Sequence, residues 1–172
     1  MTFQEELAAR LTGTVVVVGV GNPLRGDDAA GSLLARSLRE GDGVHVIDAE
    51  EAPESFVGEI ARATPDAVAF VDAVDLSRPP GDVALLEIGD VAPYAPSTHR
   101  APLSLVMDVV RSRTGADVFL IAIQPSGAGF GAAPSPTVTK TVGLLAGLLS
   151  EVLRTPRAAA AVPATQPTES LG

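Results

Sequence analysis

The sequence predicts an α/β fold organised on a mostly parallel, five-stranded sheet with one antiparallel edge strand. Three observations carry this. The stretch from Thr14 to Gly31, TVVVVGVGNPLRGDDAAG, runs from four consecutive valines through glycines into an apolar helical pattern. The first strand of an open α/β sheet delivers a loop to its carboxyl edge in this way. Strand and helix patterns then alternate to about residue 71, which calls for parallel neighbours joined by right-handed crossovers. No helix pattern separates the strand ending there from the next one at 83–88, so that strand is expected to run antiparallel at an edge.

Taken in order, residues 3–11 (FQEELAARL) read as a short helix and 14–20 as the first strand. A helix from about Asp27 to Leu38 puts Ala30, Leu33, Leu34, Ser37 and Leu38 on one face. Gly-Asp-Gly at 41–43 stops it, and 44–48 (VHVID) is a second strand. Residues 54–63 form a weaker helix, and 67–71 (AVAFV) a fully apolar strand ending at Asp72. A turn-rich loop at 75–81 leads to the strand at 83–88, and an irregular loop at 89–100 carries His99. A helix over 102–113 turns Leu103, Val106, Met107 and Val110 to one side. The last core strand is 117–123 (DVFLIAI), followed by a glycine-rich loop at 124–134. Ser135 then suits an N-cap and Pro136 the first turn of a helix, with Val138, Val142, Leu145, Leu149 and Val152 in one stripe. One domain over 1–154 and a disordered tail over 155–172 are expected.

Composition narrows the function. The formal net charge is −9, from 21 acids against 12 bases, and no basic cluster is present. Nucleic-acid binding, which neutralises phosphates with grouped Lys and Arg, is disfavoured. The absence of cysteine removes disulfides, thiolate metal sites and a cysteine nucleophile. No apolar run approaches the roughly 18–20 residues needed to span a membrane. The first dozen residues lack the basic start and apolar centre of a signal peptide, so the expected location is the cytoplasm.

The chemistry-bearing candidates are Asp28 after the first strand, Asp72 closing the third, and His99 in the loop before a later helix. In a parallel sheet, residues just beyond successive strand ends gather along one edge. Two carboxylates and an imidazole there suit a zinc- or nickel-type ion with open positions. Each has a plainer reading: Asp28 or Asp27 as a first-turn acid, Asp72 or Asp75 as a turn residue, His99 as a loop hydrogen-bonder. His45, alternating with Val44 and Val46, reads as an outward-facing strand residue. Gly19 and Gly21 resemble the start of a dinucleotide fingerprint, with Asp48 as its ribose-binding acid. Position 24 is leucine where that fingerprint needs glycine, and Asp27-Asp28 would repel a pyrophosphate at the helix N-terminus.

These residues also carry a family resemblance. G-V-G-N-P-L-R-G-D-D-A-A-G at 19–31, V-I-D at 46–48, A-P-E at 52–54, F-V-D-A-V-D at 70–75 and P-G-D-V at 80–83 stand in order. T-H-R-A-P-L at 98–103 and I-Q-P from 123, with its glycine-rich loop, complete the series. Together they resemble the hydrogenase maturation endopeptidases over about residues 14–153. The resemblance implies a three-layer sandwich of helices about a twisted sheet. It also implies removal of the C-terminal extension from the nickel-loaded precursor of a nickel–iron hydrogenase large subunit, by a peptidase conventionally grouped as aspartic-type. The family's metal-recognition residues fall on Asp28, Asp72 and His99, with Asp28 standing where many relatives have Glu. Nickel would arrive bound to the substrate; either Asp28 or Asp72 would serve as general base on a water, or all three residues would only position nickel while another group supplies the base. The expected partner is that precursor, met by a monomer without nucleic acid, membrane or organic cofactor. The alternative reading is a nickel-dependent chaperone that docks on the precursor without cutting it.

Overall fold

The computed structural model describes residues 1–91 and 101–155. Helix α1 spans Phe3–Arg10, strand β1 Val15–Val20, α2 Ala30–Ser37, β2 Val44–Glu50, α3 Val57–Arg62 and β3 Ala67–Ala73. Strand β4 covers Val83–Leu86, α4 Leu103–Thr114, β5 Asp117–Ile123 and α5 Pro136–Arg154. The sheet has five strands in the order β2-β1-β3-β5-β4, with every neighbouring pair parallel except β4 against β5.

Burial explains the order. All six residues of β1 and the first five of β3 are buried, as central strands covered on both faces must be. Alternate residues feed two cores. Val15, Val17, Ala69, Val71, Phe119 and Ile121 pack against α1, α2 and α5. Val16, Val18, Val68, Phe70 and Leu120 meet Ile60 of α3 and Val106, Met107 and Val110 of α4. The result is the three-layer sandwich. Arg10 ties α1 across the end of the sheet by bonding Asp117 at 2.6 Å and Glu87, while its guanidinium lies 4.0 Å from the Phe119 ring centroid.

Several boundaries differ from the sequence reading for identifiable reasons. The helix expected from Asp27 opens as a 3-10 turn over Gly26–Ala29 and becomes α-helical only at Ala30. Ser37, placed on its packed face, is exposed, whereas Gly31 and Ser32 are buried. Residues 53–56 likewise form a 3-10 turn, opened by Pro53, before α3. Strand β4 ends at Leu86, and Ile88 is buried within a 3-10 turn. Asp72 lies within β3 rather than after it, because pairing with β5 continues through Asp72–Ala122 and Ala73–Ile123. The expected cap, Pro136 position and apolar stripe of α5 are all present. Of the expected tail, all but Thr155 lies outside the described residues.

Helix α5 also carries two exposed interior glycines, Gly143 and Gly147, where an added Cβ meets nothing within 4 Å. Alanine narrows the unfolded ensemble and favours helix without a steric penalty. Gly143→Ala and Gly147→Ala are each expected to stabilise the fold by about 0.5–1 kcal/mol, read from urea midpoints at unchanged slope.

Candidate functional site

The chain reverses direction across the sheet between β1 and β3: β2 lies on one side of β1 and β3 on the other. Open α/β sheets bind ligands outside the carboxyl ends of the strands at such a switch point. Close backbone packing shapes that edge. A Cβ on Gly31 would lie 2.1 Å from the Val71 carbonyl oxygen and 2.2 Å from that of Val20, so only glycine lets α2 seat itself over both strand ends. At Gly21, φ is +139° and a Cβ would lie 1.8 Å from the Asp28 carbonyl oxygen. Asp28 is thereby folded back directly over the end of β1, and Asp72 is the penultimate residue of the neighbouring β3.

The two adjacent acids at 27 and 28 have separate tasks. Asp27 is 1 % exposed and uses both carboxylate oxygens. Its Oδ2 accepts from Ser126 N at 2.7 Å, Gly127 N at 3.1 Å and Ser135 Oγ at 2.9 Å, and its Oδ1 from Ser135 N at 2.6 Å. Burial by itself would raise the pKa of this carboxyl. The bonds from Ser135 N, Ser126 N, Ser135 Oγ and Gly127 N outweigh burial and hold it below the usual carboxylate range. Asp27 therefore pins the glycine-rich loop and the start of α5, rather than capping its own helix. Asp28 is partly buried, and its Oδ2 accepts from Asn22 N at 2.8 Å. That bond reaches back into the loop, so Asp28 is not an N-cap either. Its Oδ1 takes no hydrogen bond from the described residues.

Asp72 is also partly buried, with Oδ1 accepting from Ala73 N at 2.8 Å. The loop that follows is built around Gln124, a buried side chain. Gln124 Oε1 accepts from Leu76 N at 2.6 Å and Arg78 N at 3.3 Å, while Nε2 donates to Asp75 Oδ1 and the Pro125 carbonyl. Asp75 accepts from Ser77 N as well, so the second acid of F-V-D-A-V-D shapes the turn after Asp72. Neither the Asp27 clamp nor the Gln124 bracket is visible as a local motif, since both join segments about 50 to 110 residues apart. The I-Q-P tripeptide and the D-D pair are the available signals.

His99 lies outside the described residues, so the expected set of three is described at Asp28 and Asp72 only. Among the described residues no group of three or more His, Cys, Asp and Glu forms a metal-holding set. His45 is exposed on edge strand β2, as its alternation implied. Asp48 is committed to Arg36 Nε at 2.6 Å, and Glu50 to Arg36 Nη2 at 3.0 Å, which accounts for Asp48 without a ribose. No helix among the described residues is long and apolar enough to cross a membrane.

An open α/β sheet with two carboxylates at its switch point is an enzyme-like edge, and comparison with known proteins gives it a family. The family model described as hydrogenase maturation protease matches residues 29–151. The Escherichia coli K12 hydrogenase 3 maturation protease is 36% identical over 121 residues, covering 68% of this chain and 76% of that protein. The crystal structure of the NiFe hydrogenase maturation protease HycI from Thermococcus kodakarensis KOD1 superposes with a TM-score of 0.79 at 35% identity. It covers 86% of this chain and 98% of its own. The E. coli maturating endopeptidase HybD, at 24% identity and a TM-score of 0.67, shares the fold. The chain belongs to the hydrogenase maturation protease family, and is a peptidase of that family.

Proposed function

We propose that this chain is the endopeptidase that removes the C-terminal extension from the nickel-loaded precursor of a nickel–iron hydrogenase large subunit, working as a monomer in the cytoplasm. The observation that carries the reading is the division of labour in the acidic pair. Asp27 spends both oxygens on structure, whereas Asp28 is held by one oxygen at the switch point beside β3, which bears Asp72. Two carboxylates held by their backbone surroundings at a ligand-binding edge suit a divalent ion that arrives with its substrate and takes further ligands there. Asp28, Asp72 and His99 are the proposed metal-reading residues. Held there, such an ion would supply Lewis-acid polarisation of the attacking water, and Asp28 or Asp72 would take the proton that water gives up.

Metal reading makes cleavage conditional. With nickel-loaded and nickel-free precursor offered separately, the purified chain is expected to cut only the loaded form. Mass spectrometry of the released peptide reads this directly. Equal cleavage of both forms overturns metal recognition while leaving the peptidase assignment standing.

A further inference from the structure

Two large apolar side chains stand in solvent on the loops beside the candidate site. Leu24 is 62 % and Phe130 73 % exposed, although their positions are far apart in the chain. They are not on slack loops. Gly131 N donates to the Leu24 carbonyl at 2.7 Å, Gly26 N to Ala132 O at 3.0 Å and Asp27 N to Gly127 O at 2.9 Å, and the Asp27 carboxylate closes the clasp. The backbone thus displays both side chains outward and keeps either loop from folding inward over them. Arg25 lies between, its guanidinium 6.0 Å from the Phe130 ring centroid. Arg10, Arg36 and Arg111 each hold a carboxylate, whereas Arg25 has no ion-pair partner among the described residues. Other arginines, Arg39 and Arg113 among them, also lack an ion pair among the described residues, so what marks Arg25 is its place beside the two exposed apolar side chains. The other exposed large apolar side chains within elements, Leu105 and Leu144, lie on α4 and α5.

We propose that Leu24, Arg25 and Phe130 form the specificity-determining surface of this enzyme. It seats the precursor segment next to the cleaved bond: an apolar side chain of that segment packs on Leu24 and Phe130, and an acidic group of the same segment meets Arg25. The proposal rests on the peptidase reading above. Position argues for the occupant: Leu24 and Asp28 share one loop, and that loop is hydrogen-bonded to the loop of Phe130, so a segment held at Asp28 has this surface beside it. A metal ion bound to two carboxylates fixes a point but not an orientation, and a rigid aromatic anchor flanked by a cation supplies the orientation at little entropic cost. An exposed Arg adds attraction that falls with salt.

The test uses the nickel-loaded precursor with Leu24→Ser, Phe130→Ser and the double variant, with Leu144→Ser as a remote control. The double variant is expected to raise KM at least about tenfold with kcat within about twofold, as loss of uniform binding requires. Leu144→Ser should leave both constants unchanged. Arg25→Gln should flatten the dependence of precursor binding on salt between roughly 50 mM and 300 mM NaCl. Binding is also measured by calorimetry independently of cleavage. Unchanged affinity and KM in the double variant overturn the proposal. If the natural chain binds the precursor but does not cut it, the peptidase reading fails, and weakened binding by the double variant still upholds the surface. If the natural chain does not bind the precursor, both fail.

Discussion

Asp28→Asn or Asp72→Asn is expected to lower the rate of precursor cleavage by about 10²- to 10⁴-fold, the span associated with removing a general base or a transition-state charge. Both changes are nearly isosteric. The introduced amide oxygen can keep the existing backbone bond in either variant, from Asn22 N at position 28 and from Ala73 N at position 72, each 2.8 Å in the natural chain. Each side chain is only partly buried, so folding stability should change by less than about 1 kcal/mol. The measurement is single-turnover cleavage of nickel-loaded precursor, with docking followed separately. Retained docking with lost cleavage assigns the residue to the chemistry, whereas joint loss assigns it to metal recognition. If both act on one metal, the double variant will be hardly slower than the worse single variant, since groups that act as a unit are non-additive. Undiminished cleavage by Asp72→Asn would remove it from both roles and leave Asp28 with His99.

How much of this was legible beforehand follows from the range of the interactions. The five strands, the parallel order and the antiparallel edge were readable because each rests on local pattern: a valine run, apolar continuity, a missing crossover helix. Capping of α5 was readable from Ser135 and Pro136 for the same reason. Strand ends were not, because β3 is carried past Val71 to Ala73 by its partner β5 rather than by its own sequence. The glycines of the opening stretch have different uses, and Gly19, expected to help turn the loop, lies within β1 instead. Gly21 and Gly26 adopt positive φ, while Gly19 and Gly31 are needed because helix and strand approach too closely for a Cβ. The tasks of Asp27 and Asp75 depend on residues 126, 135 and 124, which only the fold brings near. From sequence the candidate site reads as Asp28, Asp72 and His99; the structure describes Asp28 in the loop beyond β1 and Asp72 within β3, and their roles rest on the family resemblance and the proposal above.

The largest effect on stability should come from Asp27→Ala, about 3 kcal/mol or more. The buried carboxylate accepts four hydrogen bonds, three of them from backbone N–H groups that have no alternative acceptor on an alanine. A charge-assisted bond contributes about 1.5–3 kcal/mol, and a donor stranded by truncation costs about 1–3 kcal/mol. Ser126 and Gly127 are exposed enough for water to replace part of this, so the sum of four full bonds would overestimate the loss. The pH dependence has a definite sign. Asp27 has a folded-state pKa below its unfolded value of roughly 3.9, so the unfolded chain binds the proton more readily. Its contribution is complete above the unfolded value and is lost as pH falls through the depressed folded one. As pH falls below about 5 the natural chain should therefore lose more stability than Asp27→Ala, and the two denaturation curves should converge. Hydrogen exchange locates the effect: the amides of Ser126, Gly127 and Ser135 should lose protection in the variant while those of β1 and β3 keep theirs. Cleavage is expected to fall as well, even though Asp27 touches no substrate. The clamp fixes the residue preceding Asp28 and holds the loop of Phe130 against the loop of Leu24, so its removal slackens the carboxylate and the docking surface together.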